Sequence, residues 1–184
     1  MPSSSENPGF YKTLKADLHV NSFWGALRTI LARPGSSAVF FYRVSSALYT
    51  KGRVGKVVAM IFSRLNIIVN GCEIQPVASI GPGFRIVHCG GIVIGNATLG
   101  KNVTVYQNVT IGRLRHNETS PGKEIQPTLR DDVVIYAGAV ILGGITVGSH
   151  ARIGANAVVT KDVPENYAAI SPPARNLPIQ NAET

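Results

Sequence analysis

Imidazoles and thiols are the side chains best suited to move a proton or attack a carbonyl near neutral pH, and this chain of 184 residues has four histidines and two cysteines. They meet once, at His88-Cys89, and the next two residues are Gly90 and Gly91. A histidine leading into a turn of small residues sets a base beside backbone N–H groups, the components of proton transfer and oxyanion stabilisation. Cys89 offers a lesser alternative, an acyl-cysteine formed in a ping-pong sequence. The other histidines have weaker contexts. His19 lies in a helical stretch and His150 in the turn Gly148-Ser-His-Ala151, so both read as surface positions. His116 stands between Gly112 and Thr128 with Arg113, Arg115 and Lys123, a basic loop suited to an anionic substrate, a neighbouring subunit or plain solvation. Neither cysteine belongs to a CxxC or Cys/His cluster and no three histidines converge in spacing, so no metal site is expected.

The frame that must hold this turn is legible as a period of six. Aliphatic residues stand at Ile74, Ile80, Ile86 and Ile92, then after one seven-residue step at Leu99, Val105 and Ile111. The beat returns at Leu129, Ile135, Ile141, Val147, Ile153 and Val159, eighteen residues on from Ile111. Strands this short cannot bury a face alone, so successive coils must stack around one apolar interior, and three sixes make one triangular coil. A β-sandwich would instead alternate with period two. The fold class is therefore mainly β, a parallel β-helix of hexapeptide repeats over 72–163 with an excursion loop at 112–128. Before it, residues 1–9 read as a flexible tail and 10–71 as a small helical region; 164–184 form a C-terminal tail.

Three amphipathic helices account for that region. Phe23, Leu27, Ile30 and Leu31 form one stripe behind the N-cap candidate Ser22, and Pro34 ends the run. Phe40, Val44, Ala47 and Leu48 form a second, with Ser36 or Ser37 as cap and Gly52 beyond the end. Val57, Met60, Ile61, Leu65 and Ile68 form a third that closes near Asn70-Gly71.

Charge is placed unevenly, with nine Lys/Arg against two Asp/Glu in residues 1–71 and nine against eight in 72–184. The basic N-terminal part suits an anionic membrane surface or a solvated face. No nucleic-acid-binding signature accompanies it, so nucleic acid is not an expected partner. The longest apolar run, Val57 to Val69, is too short to span a bilayer and contains Arg64. With no secretory signal pattern at the N-terminus and few cysteines, the expected location is cytoplasmic, with peripheral attachment at the inner membrane surface as an option.

The segment Gly83-Phe-Arg-Ile-Val-His-Cys-Gly-Gly-Ile-Val-Ile-Gly95 resembles the active-site coil of hexapeptide-repeat acyltransferases, in the branch of the serine acetyltransferases and their exopolysaccharide relatives. The likeness continues through Tyr106-Gln-Asn-Val-Thr-Ile-Gly112, Ile135-Tyr-Ala-Gly-Ala-Val-Ile-Leu-Gly143, Val163-Pro164 and Pro173-Ala-Arg175. The helices, with Leu14-Lys-Ala-Asp-Leu18 and Arg33-Pro-Gly35, look like the shortened cap of the exopolysaccharide (colanic-acid-type) O-acetyltransferases. The resemblance implies a left-handed coil, a homotrimer, and acetyl-CoA as co-substrate lying between subunits. It makes His88 the general base that deprotonates the acceptor hydroxyl. It also places the pantetheine against the small residues Ala137 and Ala155, and the nucleotide end near Arg152 and Arg175.

Departures from the serine acetyltransferase pattern concern the acceptor. That family carries Asp before the catalytic histidine, where this chain has Val87. It carries Arg-His-Pro after the excursion, where this chain has Ile125-Gln126-Pro127. With Val87, Gln126 and His116 as the acceptor pocket, the expected acceptor is a sugar hydroxyl in polysaccharide or glycolipid synthesis. The alternatives are serine in a rebuilt pocket, or a non-catalytic β-helix that serves as a membrane or assembly module.

Overall fold

The structure is a computed structural model and describes residues 9–114 and 126–174. The tail through residue 8, the loop positions Arg115, His116, Lys123 and Ile125, and Arg175 lie outside the described residues.

The six-residue beat builds a three-faced parallel solenoid. The first face stacks β1 (Cys72–Ile74), β4 (Ile92–Ile94), β7 (Thr110–Gly112), β10 (Val140–Leu142) and β13 (Val158–Val159). The second stacks β2 (Ser79–Ile80), β5 (Thr98–Leu99), β8 (Thr128–Leu129) and β11 (Thr146–Val147). The third stacks β3 (Arg85–Ile86), β6 (Thr104–Val105), β9 (Val134–Ile135), β12 (Arg152–Ile153) and β14 (Ala168–Ala169). Each strand is two or three residues long, so its stability comes from neighbouring coils. Inward residues stack in columns such as Ile86, Val105, Ile135 and Ile153, all buried.

One coil breaks the beat, at a different place from the one the sequence suggests. The interior column of the first face runs Ile74, Ile94, Ile111, Ile141, Val159, so Ile94 rather than Ile92 carries the beat there. Eight residues therefore separate Ile86 from Ile94, against six between Val105 and Ile111. The next step, to Leu99, is five. Both Ile92 and Ile94 are fully buried, which is why side-chain type alone could not choose between them. The longer step is the corner that carries His88.

Among the described residues four helices precede the solenoid: α1 (Phe10–Leu18), α2 (Phe23–Ala32), α3 (Pro34–Tyr49) and α4 (Gly52–Asn70). The additional helix is α1, nine residues with no side-chain cap, held by burial of Leu14 and Leu18 one turn apart. Ser22 does cap α2, accepting from the Gly25 N–H at 3.0 Å. Helix α3 starts at Pro34 rather than behind Ser36 or Ser37. Proline has no N–H to leave unsatisfied at the first helical position, and Arg33 becomes the cap residue. Gly71 ends α4 in the left-handed conformation at φ 64°.

The third apolar stripe corrects the expected packing. Helix α4 buries Gly55, Ala59, Asn66 and Asn70, the small and polar side, while Val57, Met60, Ile61, Leu65 and Ile68 point outward. Hydrogen bonds explain the choice: Asn66 donates to the carbonyl of Ala38 on α3 at 3.1 Å, and Asn70 donates to Asn66. Small residues at 55 and 59 also let α4 approach its neighbours closely.

Helix α3 fastens the helices to the first coil. Arg43 donates through Nε to Asp17 at 2.8 Å, through Nη1 to the Ile80 carbonyl and through Nη2 to the Gly81 carbonyl, both at 2.6 Å. Asp17 also accepts from the Phe84 N–H at 2.9 Å. Burial pushes the Asp17 carboxyl above its ordinary range, and the Arg43 guanidinium and the backbone donors pull it back. Gly35 sits against the Ile86 carbonyl so closely that a Cβ has no room. Arg43→Ala strands a buried carboxyl and two carbonyls, so it is expected to cost about 3–5 kcal/mol in denaturant unfolding. A loss below about 1 kcal/mol would mean that water replaces the clamp.

Candidate active site

His88 lies at the corner where the third face turns into the first, two residues beyond Ile86. The lengthened corner pushes its imidazole out of the solenoid wall, and the side chain is exposed. Gly90 and Gly91 complete the turn at φ 108° and 66°. A Cβ on Gly91 would collide with Asn108 Oδ1, so that position requires glycine.

Rings line the surface above His88. The imidazole is 6.2 Å from the Tyr106 ring, and Tyr106 is 5.3 Å from Tyr136. Val87, Tyr106 and Tyr136 occupy one column, as the bonds from Val87 N–H to the Val105 carbonyl and from Tyr106 N–H to the Ile135 carbonyl show. The two tyrosines escape a reading of motifs, since only the stacking brings them to His88. The available signal is positional: Val87, Tyr106 and Tyr136 each directly follow a beat residue of the third face.

The adjoining column holds the cofactor candidates. Gln107, Ala137 and Ala155 follow one another up this corner, linked by the Gly138 N–H to the Gln107 carbonyl and the Asn156 N–H to the Ala137 carbonyl. Ala137 and Ala155 present only methyl groups along this corner, above the His88 turn. Gln107 Oε1 is buried there without a hydrogen-bond partner among the described residues. Arg152 is exposed at the start of β12, at the corner between the second and third faces and across the third face from this column, with Nη1 donating to the Asp132 carbonyl at 3.4 Å. The structure thus brings His88, Val87, Ala137 and Ala155 to one edge of the solenoid, while Arg152 stands at the opposite edge of the third face.

Gln126 is elsewhere. It leads into β8 at the corner between the first and second faces, across the first face from His88. Its Oε1 is buried without a partner among the described residues, in the neighbourhood of Gly95. A single chain does not join Gln126 to the base. His19 and His150 are exposed, as expected; His150 Nδ1 lies 4.0 Å from Asp132. Among the described residues no cluster of metal-ligating side chains forms.

The two thiols pair behind the turn. Hydrogen bonding between them pulls Cys72 down to about 7, helped by the Gly90 N–H, and pushes Cys89 above the ordinary thiol range. A thiol held protonated is a poor nucleophile. Cys89→Ala is therefore expected to keep most of the activity; an inactive variant, together with an acetylated parent enzyme seen by mass spectrometry, would establish the covalent route instead.

Comparison with known proteins places this geometry. The family described as bacterial transferase hexapeptide (six repeats) matches residues 127–161. A serine acetyltransferase from Bacillus licheniformis is 38% identical over 180 residues, covering 95% of this chain and 80% of that protein. The crystal structure of Neisseria gonorrhoeae serine acetyltransferase in complex with serine superposes with a TM-score of 0.74 at 33% identity, over 91% of this chain and 68% of that one. A serine acetyltransferase in complex with CoA gives 0.73 at 32% identity, over 92% and 70%. These relatives are serine acetyltransferases, and they do not show the particular nearness to exopolysaccharide enzymes that the helices suggested.

Proposed function

Because the chain belongs to the serine acetyltransferase family of hexapeptide-repeat acyltransferases, we propose that it moves acetyl directly from acetyl-CoA to an acceptor hydroxyl with His88 as the general base. The enzyme is an acyltransferase, and acetyl-CoA is its co-substrate. His88 accepts the hydroxyl proton as the acceptor oxygen attacks the thioester carbonyl. The tetrahedral intermediate then expels the CoA sulfur, which takes the proton from the imidazolium. The small side chains of Ala137 and Ala155 leave room for an extended pantetheine arm bonded to backbone groups, and Arg152 is assigned by sequence likeness as a cation for the phosphates. Arg175 is assigned to the same role by sequence likeness.

The acceptor we infer is a neutral sugar-type hydroxyl, and the composition of the His88 corner carries that inference. Tyr106 stands beside the imidazole, Tyr136 follows it one coil further on and Val87 precedes His88 in the chain, an apolar and phenolic surface suited to the C–H face of a sugar and its hydroxyls. A second reading, serine as acceptor, is supported by the relatives and by the serine-bound neighbour. We also infer a homotrimer. Gln126 and the loop that carries His116 leave the solenoid at a different corner from His88, so a neighbouring chain is what would bring them to the base. The deciding experiment gives the purified protein acetyl-CoA with a panel of sugars and glycosides and with L-serine, reading free thiol. Turnover with a sugar supports the first reading; turnover with serine alone replaces it with the second.

A further inference from the structure

Among the described residues, the outward apolar stripe of α4 and the bare face of α2 have no partner in the solenoid, and they lie on the part of the chain where charge is least balanced. On α4, Val54 is 77% and Ile68 78% exposed; on α2, Trp24 is 75% and Leu31 78% exposed, and no residue of α2 is buried. Between α1, α2, α3 and the end of α4 opens a cleft of about 790 Å³, walled almost wholly by side chains such as Phe23, Leu27, Phe40 and Val69. Residues 10–71 hold nine Lys/Arg and one acid, Asp17, and that acid is engaged with Arg43. Eight cations remain without an acidic counterpart in this segment, among them Lys51, Arg53, Lys56 and Arg64 on or beside α4 and Arg28 on α2.

We propose that these helices seat the enzyme on an anionic phospholipid surface, with α2 and α4 lying in the interface and the cleft accepting an acyl chain. Helices with a wide apolar face, a purely basic polar complement and no acidic residue match the physics of in-plane membrane binding. No described helix is long and apolar enough to cross a bilayer, so attachment is to one leaflet. Charge also discriminates between occupants. A second copy of this face would bring two sets of eight cations together with no acids to pair them, whereas a leaflet of acidic headgroups supplies the opposite sign. The inference does not depend on which acceptor the site takes.

Co-sedimentation of the full chain with vesicles tests it, comparing phosphatidylcholine alone with phosphatidylcholine containing phosphatidylglycerol, at low and high salt. Binding is expected only with the anionic vesicles and is expected to be lost at high salt. Lys56→Glu with Arg64→Glu should weaken it by about twenty-five-fold or more, taking each basic residue at about fivefold. Trp24→Ser with Val57→Ser and Ile61→Ser should abolish it at any salt. Both variants should keep the parent's thiol release with a soluble acceptor, so a failure here is distinguishable from a failure of the acetyltransferase reading. Should the serine variant misfold by circular dichroism, the charge variant and the salt series decide alone. Equal partition onto both vesicle types, binding to neither, or an assembly in sedimentation velocity that the serine variant dissolves would overturn the proposal, the last in favour of a second copy.

Discussion

His88→Ala is expected to lower kcat by about 10²–10⁴, the usual worth of a positioned general base, while the affinity for acetyl-CoA stays close to that of the parent. The expectation follows from where the side chain sits. His88 is carried on a widened corner of the coil, exposed on the edge that also holds Ala137 and Ala155, and among the described residues it makes no contact that holds the solenoid together beyond the ring of Tyr106. Its removal should leave stability almost unchanged, so the loss is readable as catalysis. Rapid-reaction or steady-state turnover at saturating acceptor measures it, with CoA binding and thermal unfolding as controls. A variant that retains near-parental kcat would remove the general base from His88 and require another group to take the acceptor proton.

The coil itself was legible because its side chains have nowhere else to go. An aliphatic residue every sixth position is a direct imprint of the triangular cross-section, and the columns of Ile86, Val105, Ile135 and Ile153 follow it faithfully. The widened corner was harder, because Ile92 and Ile94 both point inward and either satisfies a search for apolar residues. The helices were least legible. An apolar stripe is ordinarily a helix's packing face, but on α4 Asn66 and Asn70 use hydrogen bonds to claim that role and leave the stripe outside. The aromatic surface beside His88 was hidden for a different reason. Tyr106 and Tyr136 are thirty residues apart in the chain and become neighbours only when the excursion loop is subtracted from the count.

L-Serine is expected to be a poor acceptor, with kcat/KM at least two orders of magnitude below that of a dedicated serine acetyltransferase assayed alongside. A free amino acid brings a carboxylate and an ammonium group, and leaving either buried and unpaired costs several kcal/mol. The positions that resemble the family's serine-recognition residues hold Val87, half-buried beside His88, and Ile125-Gln126, of which Gln126 contributes a neutral amide. None of the three can neutralise a charge. Two lost charge-assisted hydrogen bonds, at about 1.5–3 kcal/mol each, correspond to a factor of about a hundred or more. The same loss should be recoverable: Val87→Asp combined with Ile125→Arg and Gln126→His restores the family's charged groups and should raise kcat/KM for serine by tenfold or more, while weakening turnover of a neutral sugar. Arg113 and Leu114 lead into the loop from β7, so cations farther along it could approach the base of a neighbouring chain and supply the missing charge from another direction. In that case the parent enzyme would already use serine at the rate of its relatives, and the sugar assignment would give way to the serine one.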